Sequence, residues 1–253
     1  MVPVIITKTT RNGKQFHRGL RMDFEILTYG KTNAETLLIQ MVDDHDLEVI
    51  ESEIALIREL SGEQDFCLKA IKVHSWNDDL SPWQSPAVFG KEGFGGGAAR
   101  TLEFLRDSLL SHLPDGDERL PDGERRLPGG DGQKIRKIFL GGYSLAGLFA
   151  LWAGYQTDCF DGIAAASPSI WFTNFTDYMK ENRIGTEAVY LSLGDKEEKV
   201  RNPVMSRVGN AIREAEAILR AEGRRCVLEW NKGNHFKEPD LRTAKGFAWL
   251  MNL

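Results

Sequence analysis

The chain has 253 residues, enough for one sizeable α/β core and short for two independent ones. Its hydrophobic share of 42% and charged share of 27% are those of an ordinary globular domain rather than a disordered or membrane-embedded chain. A net charge of −5 without a clustered basic face argues against nucleic acid and anionic membranes as partners.

No uninterrupted apolar run approaches the roughly 20 residues of a transmembrane helix. The segment from Met1 to Thr10 has neither the basic head nor the apolar stretch of a signal peptide. Cys67, Cys159 and Cys226 lie far apart with no C-x-x-C spacing, the pattern of isolated thiols in a reducing compartment. These features lead to the expectation of a cytoplasmic protein, and they say nothing of its oligomeric state.

The elements alternate along the chain. Val4–Thr7 and Met22–Tyr29 read as opening strands, with a hairpin turn at Arg11–Lys14 around Asn12-Gly13. Thr36–Val42 is a near-continuous apolar strand, followed by a helix from Leu47 to Leu60 with Ile50, Ile54, Ile57 and Leu60 on one stripe. Phe66–Val73 is the next strand, then a long loop from His74 to Gly97 and a helix from Ala98 to Leu110. Residues 114–133 are charged, turn-forming and nearly free of core residues, and read as a surface loop insertion. Beyond it come strands at Lys134–Leu140, Gly162–Ser167, Ala188–Leu193 and Cys226–Trp230. Helices are expected at Leu145–Tyr155, Thr173–Asn182, Pro203–Glu222 and Asp240–Leu253. Alternation of this kind predicts a single α/β domain over 1–253, its mostly parallel sheet covered by helices on both faces, with an antiparallel pair at the N-terminal edge.

Gly141-Gly142-Tyr143-Ser144-Leu145-Ala146-Gly147 lies between an expected buried strand and an expected buried helix. A serine on such a tight turn is the geometry of a nucleophile elbow. The turn brings the residues two before and two after the serine together, so both must be small, and here they are Gly142 and Ala146. The helix start also aims unpaired N–H groups and positive dipole character at the place where an oxyanion would form.

A hydroxyl needs a base, usually histidine held by a carboxylate. Of five histidines, His17, His45, His74 and His112 precede Ser144, and only His235 follows it, in a loop directly after a strand. One known chain order is serine, acid, histidine, each after a strand's carboxyl end. The acid would then end the strand between, where Asp195, Glu197 and Glu198 compete.

Rival signals are weaker. Asp43-Asp44-His45-Asp46 has metal-ligand types but no matching cluster elsewhere, and reads better as a helix start, which favours acids. Lys91–Gly97 lacks the G-K-[ST] ending and the strand context of a nucleotide loop. No metal and no cofactor is expected. Trp76, Trp83, Phe94, Trp171 and Phe172 fall on loops after strands, either walling an apolar pocket or plugging the sheet's end.

Three stretches together, Gly141–Trp152, Phe160–Trp171 and Gly233–Phe236, resemble the esterase family of α/β-hydrolases that includes esterase D, feruloyl esterases, siderophore trilactone esterases and mycolyl-transferase relatives. The likeness is strongest from Ile138 to His235 and looser from Thr36 to Val73. It implies an α/β-hydrolase fold with about eight strands, no cofactor, and a Ser144–His235–acid mechanism on a small-molecule ester. The family's usual acid falls three residues after a glycine, which registers on Gly194 and favours Glu197. Its oxyanion hole implies the N–H of Leu145 and a second donor from the 43–46 loop, assigned to Asp44. Trp171, Trp76 and Tyr143 are the expected pocket residues. Ala146 departs from the glycine usual at that position. No long cap follows the sixth strand, which weighs against bulky lipid esters. The alternatives are an acyltransferase or thioesterase with the same triad, or an inactive hydrolase fold serving as a binding module.

Overall fold

Continuous apolar runs, buried on both faces, form the middle of the sheet. The computed structural model describes residues 23–110, 125–126 and 134–253. Among these, seven strands form one sheet: β1 (Glu25–Gly30), β2 (Thr36–Val42), β3 (Cys67–Lys72), β4 (Lys137–Tyr143), β5 (Gly162–Ala166), β6 (Ala188–Gly194) and β7 (Arg225–Asn231). Their order is β1-β3-β2-β4-β5-β6-β7. All neighbours are parallel except β1, which runs antiparallel to β3 at the edge.

The expected count was about eight. The strand expected at Val4–Thr7 and the hairpin turn at Arg11–Lys14 lie outside the described residues. So does nearly all of the expected loop insertion, save Arg125–Arg126, which pair antiparallel with Lys134–Ile135. At the edge, β1 reaches past β2 to join β3 in an antiparallel pair, with Gly30 opposite Cys67.

Among the described residues, six α-helices longer than a single turn flank the sheet: α1 (Asp44–Leu60), α2 (Ala98–Leu105), α3 (Leu145–Gln156), α4 (Phe175–Glu181), α5 (Val208–Ala221) and α6 (Pro239–Met251). The pleat divides the core between them, because successive strand residues face opposite sides. Leu37, Ile39 and Met41 of β2 pack with α2 to α5, while Leu38 packs with Ile50, Ile54 and Ile57 of α1 and Ala244, Phe247 and Leu250 of α6. The α3 helix is buried from Leu145 to Gly154, as an all-apolar helix must be.

Strand β4 runs on to Tyr143, three residues beyond its expected end. Gly141 and Gly142 stay in the ladder, opposite Ala164 and Ala165. They are glycines for space: a Cβ at Gly141 would stand 2.6 Å from the Phe247 ring of α6. This close approach seats α6 over the strand that carries Ser144.

Candidate active site

Ser144 sits between the end of β4 and the start of α3 with φ 58° and ψ −118°, a backbone region costly for a residue with a side chain. Surrounding hydrogen bonds hold it there. Its N–H donates to the Ala166 carbonyl at 3.1 Å, and its carbonyl accepts from the Ser169 N–H at 2.9 Å and the Leu148 N–H at 3.1 Å. The tightness at Gly142 follows, since a Cβ there would lie 2.6 Å from the Ala146 Cβ. With alanine already on one side of the elbow, the other side has to be glycine.

The Ser144 Oγ lies 3.0 Å from Nε2 of His235, and Nδ1 of His235 lies 2.7 Å from Oε2 of Glu197. The imidazole is about one-quarter exposed and the carboxylate almost fully buried. His235 stands on the loop after β7, which Gly233 turns with φ 111°. That loop is tied to the loop after β6 by the Lys196 N–H, which donates to the Gly233 carbonyl at 3.0 Å.

Each of the three competing carboxylates has a different partner. Asp195 accepts the Gly233 N–H at 2.8 Å, a bond that lowers its pKa. Glu198 is paired with Arg213 at 3.0 Å. Glu197 alone meets the imidazole. Burial pushes the Glu197 carboxyl up, yet the hydrogen bond and charge of His235, the Gly194 N–H and the Ser167 hydroxyl together hold it below the usual carboxylate range.

Other expected site residues are placed as follows. Leu145 is the first residue of α3, directly after Ser144, so its N–H has no intrahelical acceptor. Asp44 opens α1 with its exposed side chain paired to Lys72. Its neighbours explain the acidic run: Asp43 caps Asp46 and Asp46 caps Asp43, both at 3.0 Å. Tyr143 differs from its expected place on a pocket wall. It is buried, and its phenol donates to the His235 carbonyl at 2.7 Å. Burial and the nearby Glu197 charge push that phenol up to about 12, so it stays a donor.

Trp171 is half-buried and lies edge-on to Phe94 and to the exposed Phe89. Trp76 packs against the core on a single helical turn, Trp76–Asp79. Phe94 and Phe172 are buried, and Trp83 stacks among Phe172, Phe175 and Tyr178, so these three close the core rather than open a pocket.

Four residues escaped sequence reasoning. Ser169 places its Oγ 3.3 Å from that of Ser144. Ser167, at φ 42°, donates to Oε1 of Glu197 at 2.8 Å. Phe236, edge-on to His235, is 86% exposed. Arg242 is buried on α6 and donates to Oε1 of Glu197 at 2.8 Å. It shares the i, i+4, i+8 stripe of Gly246 and Leu250, and a basic residue on a core-facing stripe was the signal that could have found it.

No helix among the described residues is long and apolar enough to cross a membrane. No protein-family model matches the chain, and no curated protein matches it either. Solved structures do. The siderophore hydrolase EstA from Aspergillus nidulans superimposes with a TM-score of 0.64 at 20% identity, over 90% of both chains. EstB from the same organism gives 0.62 at 19% identity over 90% of each. An IroE-like serine hydrolase from Shewanella oneidensis gives 0.65 at 14% identity, over 89% of this chain and 75% of that one. These likenesses, with the sheet order and the elbow, establish that the chain has the α/β-hydrolase fold.

Proposed function

We propose that the protein is a serine esterase acting on a small to moderate carboxylic ester. The observation that carries this reading is the hydrogen-bonded line from Ser144 through His235 to Glu197, at 3.0 and 2.7 Å. Three side chains separated by 53 and 38 residues meet in the order that nucleophile activation requires.

His235 Nε2 takes the Oγ proton as Ser144 attacks the acyl carbon. The imidazolium is stabilised through Nδ1 by Glu197. The oxyanion is met by the N–H of Leu145 and that of Asp44 from the facing loop, each donor worth on the order of 10²–10³ in rate. His235 then returns the proton to the leaving alkoxide, giving the alcohol and an acyl-enzyme. A water deprotonated by His235 attacks the acyl carbon and releases the acid with Ser144 restored. Every bond change is acid–base or acyl transfer, so the residues present suffice. Trp171 and Trp76 border the acyl side in this reading.

Siderophore hydrolases share the fold, which makes siderophore esters the first natural substrates to assay. The test is covalent labelling by a fluorophosphonate together with a p-nitrophenyl ester chain-length series. Labelling and hydrolysis are expected in the wild type and absent in Ser144→Ala. A folded wild type that neither labels nor hydrolyses would leave a binding module as the better reading.

A further inference from the structure

Arg242 is only 1% exposed and has one face of its guanidinium committed to the site. Nη1 donates to Oε1 of Glu197 at 2.8 Å, to the Tyr143 phenol at 3.1 Å and to the Ser167 hydroxyl at 3.1 Å. Nη2 donates to the carbonyl of Asn234 at 3.0 Å and to that of Lys232 at 3.4 Å. One side chain on α6 thus grips the candidate acid, the loop that carries His235 and the residue preceding Ser144.

We propose that Arg242 is a positioning residue that fixes Glu197 against His235 and lowers the pH at which the Glu197–His235 pair takes up its proton. The inference rests on the catalytic reading above and adds a control on it. The carboxylate has two oxygens: Arg242 shares Oε1 with the Gly194 N–H and the Ser167 hydroxyl, as the one charged donor there, and Oε2 meets the imidazole. The guanidinium also brings a fixed positive charge within contact of a buried pair, where screening is weak. A positive charge there opposes arrival of a further proton on either member. Without it, the pair would protonate at higher pH and Ser144 would lose its base over more of the neutral range.

The other charged and titratable groups around Arg242 do not substitute for it. Tyr143 on β4 is a neutral donor. Tyr190 on β6 directs its hydroxyl to Glu229 on β7, which is paired with Lys245. Asp195, after β6, faces the Gly233 N–H. Among these, Arg242 alone presents a cation to Glu197.

The experiment is the pH dependence of the fluorophosphonate labelling rate, which reads serine activation without needing the natural ester. Wild type, Arg242→Gln and Arg242→Lys are compared, with folding checked by circular dichroism. For Arg242→Gln the acid limb is expected to move up by about one pH unit, so labelling at pH 6 falls about tenfold more than at pH 8.5. Arg242→Lys keeps the charge but loses the fork, so its limb should stay in place while the rate falls at every pH. A folded Gln variant whose rate drops equally at all pH values would overturn the proposal, leaving Arg242 a packing residue. If the Gln variant does not fold, a Lys variant with wild-type rates throughout, or with a displaced limb, overturns it just as well. Ser144→Ala that still labels would instead sink the catalytic reading itself, and the two failures cannot be confused.

Discussion

The phenol of Tyr143 holds the main-chain carbonyl of His235 at 2.7 Å, across 92 residues of sequence. The residue immediately before Ser144 therefore anchors the loop that carries His235. Tyr143→Phe removes one hydrogen bond and keeps the ring. A bond of this kind is worth about 1 kcal/mol, and the carbonyl it leaves can turn to Arg242 or solvent. The expected result is a loss of about 3- to 10-fold in esterase rate with a fall in thermal midpoint of a few degrees at most. An activity loss above about 10³ would mean that the phenol touches the substrate.

Glu197 and Asp195 make separable predictions. Glu197→Gln leaves His235 without an anionic partner, and the amide favours the wrong tautomer, so the rate should fall on the order of 10³–10⁴. Asp195→Asn removes only an exposed charge and keeps an amide oxygen able to accept the Gly233 N–H, so its rate should stay within about fivefold of wild type. Steady-state kinetics on one p-nitrophenyl ester decides this. The reverse ranking would move the acid to Asp195.

Gly142→Ala should be among the most damaging small changes in the protein. The new methyl would stand 2.6 Å from the Ala146 Cβ and 2.9 Å from the Ala146 main chain, which cannot yield. Overpacking of this kind costs about 1–3 kcal/mol and would shift the elbow that holds Ser144. Denaturant unfolding and labelling should both show the loss. The double change Gly142→Ala with Ala146→Gly should recover part of it, because the nearest clash is with the Ala146 methyl.

Glu53 is buried on α1, with Gln40 of β2 as its hydrogen-bond partner at 3.3 Å and no ion pair among the described residues. Burial raises its carboxyl well above the usual range. Just above pH 4.5 it therefore keeps its proton in the folded state where the unfolded carboxyl is ionised. Stability is fullest below that pH and falls as pH rises, by up to about 1.4 kcal/mol per unit until the folded carboxyl itself ionises. Glu53→Gln keeps the shape without the proton. Its thermal midpoint should match wild type near pH 4 and exceed it as pH rises above about 4.5. Equal midpoints at all pH values would show that Glu53 carries no such penalty.

Local pattern was enough for much of the fold. Thr36–Val42 was legible as a strand because it is buried on both faces and so almost wholly apolar. Leu145–Tyr155 was legible as a helix for the same reason, and Gly142 and Ala146 marked the elbow by size alone. Ends were harder. The extension of β4 through two glycines depends on how closely Phe247 of α6 approaches, which no local propensity encodes.

The sequence by itself determined the alternation of strands and helices, the serine on its turn, and a single histidine downstream of it. These follow from periodicity, residue size and chain order, all of them local or countable. Only the tertiary structure decided which carboxylate meets the imidazole, that Tyr143 faces inward, and that Arg242 lies against Glu197. Those pairings depend on the parallel register of β4 to β7 and on the seat of α6, where groups 38 to 99 residues apart meet at angles the chain does not spell out.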